Sequence, residues 1–220
     1  MAETSCAPLM APMCVIGSQF IAECQMDLIV EQNSCGNLLI TDINHNILLK
    51  VKPCNTSCHR QRVVLDVHDK PIVMIREKFV SGHKRWNVFR GDSKSKSDII
   101  FSTKTSHMIN FKTSVDVFLT NKVGGKNVYD FKIKGSWSNR NCTINMGDTS
   151  ATIAQMYKMQ SPAENMKFVK GNFMVTIDPG VDYAFVVTLM AIVEGMKTTD
   201  NNDEVAVVKV IEKVVGVGFA

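Results

Sequence analysis

The sequence predicts a mainly β fold, a closed twelve-stranded antiparallel barrel around a central hydrophobic C-terminal helix. Two observations predict it. From residue 38 to residue 178, short runs rich in Val, Ile and Phe alternate with clusters of Asn, Gly, Asp and Ser, the pattern of a many-stranded antiparallel sheet. After them comes 183–193, eleven residues without a charge, bounded by Asp182 and Glu194.

The expected strands begin with Leu38–Asp42 and Ile47–Lys52, joined by a tight turn through Ile43 to Asn46. Arg62–Asp66 and Ile72–Arg76 follow, turned by His68 to Pro71. The rest are Arg85–Arg90, Ile99–Lys104, His107–Lys112, Val115–Thr120, Val128–Lys134, Asn141–Met146, Ala151–Lys158 and Asn172–Asp178. Several alternate, as Tyr129, Phe131 and Ile133 do against Asp130, Lys132 and Lys134, so one face of the sheet is dry and the other wet. A twisted sheet of that many strands closes on itself to remove its edges. Its lumen is then wider than its own side chains fill.

The segment 183–193 is the candidate filler. It is apolar on all sides and far short of the roughly 20 residues a membrane span needs, so a helix here belongs inside the protein. Val186, Val187, Thr188, Ile192 and Val193 also permit a strand. The helix reading leans on length, on Asp182 as a cap and on the Pro179-Gly180 turn before it. Tyr183, Phe185, Val186, Leu189, Ile192 and Val193 are its expected core contacts.

This gives one domain of 36–197, with its helix over 182–196. Residues 1–35 mix Cys, Met, Pro and acids without a period and read as a loose leader. Residues 198–220 read as a polar linker and a valine-rich tail.

The chain carries a net +4, unevenly distributed. No Lys or Arg precedes Lys50, whereas 50–197 holds 23 bases against 12 acids, a net +11. Such a body favours anionic partners. Alternation groups Arg76 with Lys78 and Lys132 with Lys134, and Lys84, Arg85 and Arg90 lie close in sequence, so these seven are the candidate contacts for anionic lipid. Scattered solvating lysines are the plainer alternative. Trp86 and Trp137 read as core anchors, and no interleaving of aromatic and basic residues marks a nucleic-acid surface.

Catalytic patterns are missing. There is no G-x-S-x-G, and Gly124-Gly125-Lys126 lacks the other elements of a phosphate loop. Cys54, Cys58 and His59 are three metal-type donors without a fourth, so no metal or cofactor is expected. Cys54 and Cys58 are instead candidate acylation sites. Seven cysteines, crowded early, do not make a disulfide framework. With no basic region before the short apolar stretch at 9–16, secretion is not expected. The cytosol or nucleus is, as a monomer, with peripheral attachment at the plasma membrane.

The stretches LLITDINHNILLKVK, RVVLDVHDKPIVMIREK, HKRWNVFRG, KTSVDVFL, DFKIKGSW, ATIAQM and FMVTIDPGVDYAFVVTLMAIVE resemble, in order, the signature blocks of the plant LURP-one-related family. That family is similar to the C-terminal domain of Tubby proteins and to phospholipid scramblases. The resemblance implies a Tubby-like barrel, no enzymatic activity, and a membrane-tethered regulator that binds phosphoinositide, acting in plant defence or stress signalling with unknown protein partners. Two alternatives are a scramblase-like lipid-moving protein and a purely protein-binding barrel. The turn from Asp178 to Asp182 lacks the richer acidic loop of scramblases.

Overall fold

The computed structural model describes residues 11–78, 85–109, 112–120, 128–159 and 172–196. Twelve strands wind up and down in sequence order: β1 (Met26–Gln32), β2 (Leu38–Thr41), β3 (Ile47–Pro53), β4 (Gln61–Leu65), β5 (Pro71–Glu77), β6 (Arg85–Arg90), β7 (Ile99–Ile109), β8 (Lys112–Leu119), β9 (Phe131–Ser136), β10 (Asn141–Met146), β11 (Thr152–Lys158) and β12 (Phe173–Ile177). Each pairs antiparallel with its neighbours, and β1 pairs with β12 to close the barrel. The one α-helix among the described residues, α1 over 183–196, fills the lumen. Odd-numbered strands rise from the end where α1 begins, here the upper end, towards the lower end where it finishes.

Two expected elements are corrected. From Met26 to Gln32 the expected leader is not loose but forms β1, with Leu28 and Val30 buried against α1 and Asp27 and Glu31 on the outer face. Its inward set, Met26, Leu28, Val30 and Gln32, ends on a polar residue that bonds Glu194, and Ile29 between them is apolar as well, which blurs the alternation and is why the sequence hides it. The run Ile99–Lys104 and the first part of the run His107–Lys112, as far as Ile109, are instead one strand, β7, whose register shifts between Thr105 and His107 against β8, while Lys112 opens β8. A bulge inserts one residue and breaks the alternation, which in sequence imitates a strand end. One strand missed and one split leave the count at twelve. Residues 1–10 of the leader and the tail from 197 lie outside the described residues.

The helix alternative at 183–193 prevails because a barrel this wide needs a filler whose backbone bonds are internal. At about 1.5 Å per residue α1 is about 21 Å long, close to the roughly 20 to 23 Å of a six- or seven-residue strand. Phe185, Val186, Leu189, Ile192 and Val193 are wholly buried, each contributing on the order of 2 kcal/mol. Phe185 meets Phe101 and Phe131 with ring centroids 5.3 and 5.0 Å apart. Tyr183, at the mouth, is half-buried against Phe20; burial and then the Asp182 charge push its hydroxyl pKa up.

Both ends of α1 are fastened by buried carboxylates. Asp182 caps the helix, its Oδ1 accepting the Phe185 N–H at 3.0 Å. Its Oδ2 accepts three successive backbone N–H groups of the leader, Val15 at 3.2, Ile16 at 2.7 and Gly17 at 3.1 Å, a small anion nest. Residues 13–22 are thereby strapped across the upper end, with bridges Met13 to Val181 and Ile21 to Asp182. At the lower end Glu194 accepts from Trp137 Nε1 at 2.6 Å, Arg140 Nη1 at 3.2 Å and Gln32 Nε2 at 2.8 Å.

Gly135 makes the lower fastening possible. Its φ is +134°, and a Cβ there would stand 2.3 Å from the Asn141 carbonyl oxygen, so only glycine lets β9 pass this close to β10 before the chain turns to deliver Trp137 and Arg140. Gly135→Ala is expected to destabilise the fold by about 1 to 3 kcal/mol, read as a lower urea midpoint. A midpoint within error of the parent would show that the strands part without penalty.

Candidate functional site

Antiparallel register brings outward side chains of four strands into one transverse row. Arg85 on β6 lies opposite Lys104 on β7, Lys104 opposite Asp116 on β8, and Asp116 opposite Lys132 on β9. The inward partners on the same strands, Trp86, Thr103, Val115, Val117 and Ile133, are buried, so the same alternation that fills the core sets the charged row outside.

This row crosses a groove of about 960 Å³ on the barrel wall. Lys78, Arg85, Lys96 and Lys104 supply its positive charge, and Phe118 and Tyr129 its aromatic wall. Lys78 is tied in through its backbone N–H to the Arg85 carbonyl at 2.8 Å. The groove's acid, Asp116, is already engaged by Lys132 at 3.4 Å and by the Ser106 hydroxyl at 3.3 Å. Lys132 also sits 4.6 Å from the Tyr129 ring centroid.

Arg85 and Lys104 are like charges directly opposite one another, which disfavours a sheet by up to about 1 kcal/mol. Among the described residues no acid forms an ion pair with either. An anion spanning the two relieves that repulsion and gains bonds from both, so the groove can bind a compact, multiply charged anion such as a phosphorylated headgroup.

Of the seven residues expected to meet anionic lipid, Lys78 and Arg85 line the groove and Lys132 flanks it. Lys134 is exposed further along β9, and Arg76 lies beside the groove, opposite Asn87, which does line it. Arg90 is set apart: it pairs with inward Val73 at the upper rim and donates to the Ile16 carbonyl at 3.4 Å. Lys84 lies outside the described residues. Sequence reasoning missed Lys96 and Lys104, although Lys104 shares the outward parity of Ser102 and was legible in the alternation.

The candidate acylation sites differ in setting. Cys58 is exposed, while Cys54 is half-buried with its sulfur 3.8 Å from Met74 Sδ, and burial pushes its thiol pKa up. Inside the barrel, burial pushes the Cys142 thiol up to about 12. Burial likewise pulls the Arg62 guanidinium below its usual range, with the Glu194 charge opposing. No group of three or more His, Cys, Asp or Glu side chains that could hold a metal occurs among the described residues. No described helix is long and apolar enough to cross a membrane.

Known proteins share this sequence and shape. A family model described as LURP-one-related matches residues 26–194. The chain is 42% identical to LURP-one-related 15 of Arabidopsis thaliana over 165 residues, 75% of either protein. It is 41% identical to LURP-one-related 10 of the same plant over 169 residues, covering 76% of this chain and 86% of that one. An X-ray structure of an Arabidopsis thaliana protein superposes with a TM-score of 0.65 at 33% identity, over 84% of this chain and 98% of that one. The match begins at Met26, where β1 begins, and ends at Glu194, the lower fastening of α1. With the family model spanning the whole barrel, the chain belongs to the LURP-one-related family.

Proposed function

We propose that this LURP-one-related barrel is a non-enzymatic module that docks on anionic membrane by holding a phosphorylated lipid headgroup in the groove across β6 to β9. The observation that carries the reading is the directly opposed Arg85 and Lys104, with Lys78 and Lys96 in the same groove. Four cations on one concave wall suit a polyphosphorylated ring better than a single phosphate, and near an anionic surface each contributes about 1 kcal/mol. Membrane tethering by phosphoinositide is also what the likeness to Tubby proteins implies.

The burial of α1 weighs against lipid transport of the scramblase kind. Phe185, Leu189 and Ile192 are wholly enclosed, so inserting them into a bilayer requires opening a closed barrel. A regulator held reversibly at the membrane needs no such opening.

Neutralising Lys78, Arg85 and Lys104 together to Gln is expected to weaken binding to phosphoinositide-containing vesicles by on the order of a hundredfold, from about 1 kcal/mol per charge. Flotation measures it. Lys134→Gln, outside the groove, serves as the comparison and is expected to change little. Equal loss in both variants would mean that diffuse charge, not the groove, does the binding.

A further inference from the structure

At the upper end the strap, the turn between β12 and α1 and the β10–β11 hairpin line a small cavity of about 200 Å³. Ala11 and Met13 of the strap, Met146 and Ile153 of the hairpin, and Pro179 and Val181 of the turn give it apolar walls. Backbone bonds hold those walls apart. The Met13 N–H donates to the Gly180 carbonyl at 2.7 Å, the Met146 N–H to the Ala151 carbonyl at 3.0 Å, and the Asp178 N–H to the Ile153 carbonyl at 3.0 Å. The cavity is therefore preformed, as ligand sites commonly are.

One polar side chain of this cavity is unused by the fold. Asp178 lines it, is exposed, and has no side-chain partner among the described residues. The turn does not draw on its carboxylate: the Gly180 N–H donates to the Ala22 carbonyl, and the Val181 N–H to the Asp178 backbone carbonyl. No base lines the cavity. The surroundings have the same sign. Asp148 lies in the hairpin turn, where it accepts from the Tyr129 hydroxyl, and Glu23, also without a side-chain partner, follows Ala22, which is bonded to both Gly180 and Val181. An apolar hollow beside an unpaired carboxylate is complementary to an apolar body carrying one positive charge, and the same acids repel anions.

We infer that this cavity binds a small primary amine bearing one ring or a short branched chain, its ammonium on the Asp178 carboxylate and its apolar part between Met13 and Met146. Size sets the class: an apolar cavity of about 150 Å³ holds benzene, so this one holds a single ring and a short linker. Two methionines suit such a site, since flexible, polarizable thioethers mould to rings of different outline. The site is separate from the groove across β6 to β9 and does not depend on it. Its ligand touches strap, hairpin and turn at once, so binding holds the strap against the barrel by mass action.

Phenethylamine is the probe, titrated into the full chain isotopically labelled at its methionine methyls and followed by NMR. The Met13 and Met146 methyls are expected to shift together, with a dissociation constant of about 1 mM for so small a ligand, while Met74 on β5 stays unchanged. Phenethyl alcohol, the neutral analogue, is expected to bind about tenfold more weakly, and phenylpropionate not to bind. Asp178→Asn leaves the backbone bonds of the turn in place and should bring amine and alcohol to equal affinity; an amine preference that survives it overturns the assignment. No shift at either methyl overturns the site, the hollow then being filled by residues 1–10 or by solvent. With the amine at about ten times its dissociation constant, hydrogen exchange at the Met13 amide should slow about tenfold. Shifted methyls with unchanged exchange would refute the hold on the strap.

Discussion

Glu194→Ala is expected to lower the stability of the barrel by about 3 to 5 kcal/mol, the loss associated with removing one partner of a buried ion pair. The carboxylate is nearly inaccessible and accepts from Trp137, Arg140 and Gln32. Arg140, stacked 4.4 Å from the Phe173 ring centroid and 5.2 Å from that of Trp137, would be left as a buried cation with only the Gln32 side-chain oxygen, 3.0 Å away, as a side-chain hydrogen-bond partner. Arg62, equally buried, would lose the neighbouring charge that supports its own. For a domain of this size the melting temperature should fall by on the order of 10 °C. The double variant Glu194→Leu with Arg140→Met should be less harmful than Glu194→Ala, since it removes both charges. A Glu194→Ala cost below about 1 kcal/mol in equilibrium urea unfolding would contradict the role given to this cluster.

The sequence reveals the parts of this fold whose cause is local. Alternation over six or seven residues exposes β3, β5 and β6, and the charge-free run between Asp182 and Glu194 exposes α1. What it conceals depends on distance. Glu194 reads as the polar boundary of an apolar helix, yet its partners Trp137 and Gln32 are 57 and 162 residues away, so nothing near it announces that it is buried. The leader is concealed in the same way. Residues 13–22 have no period of their own because their order comes from Asp182, on the far side of the chain. The groove lies between these cases: Lys78, Arg85 and Lys132 were legible as outward bases, but the opposition of Arg85 to Lys104 needs the β6–β7 register, which a one-residue slip would reverse.

Asp182→Ala separates the strap from the barrel in a measurable way. One carboxylate serves two structures, capping α1 through Phe185 and holding the leader through Val15, Ile16 and Gly17. Loss of the cap costs about 1 kcal/mol. Loss of charge-assisted bonds to the leader amides adds a few more, because Ile16 is buried and its N–H has no water to turn to. A total of about 3 to 5 kcal/mol is expected, nearly the penalty at Glu194. Asp182→Asn should cost nearly as much, because both carboxylate oxygens accept and a carboxamide keeps only one of them, turning its NH2 group towards either the Phe185 N–H or the three leader amides. Hydrogen exchange distinguishes the two roles. In the alanine variant the amides of Val15, Ile16 and Gly17 should exchange far faster than those of β1 and β12, the strap opening while the barrel stays closed. If those three amides instead exchange in step with the strands, the leader is part of one cooperative unit with the barrel and Asp182 is not its separate anchor.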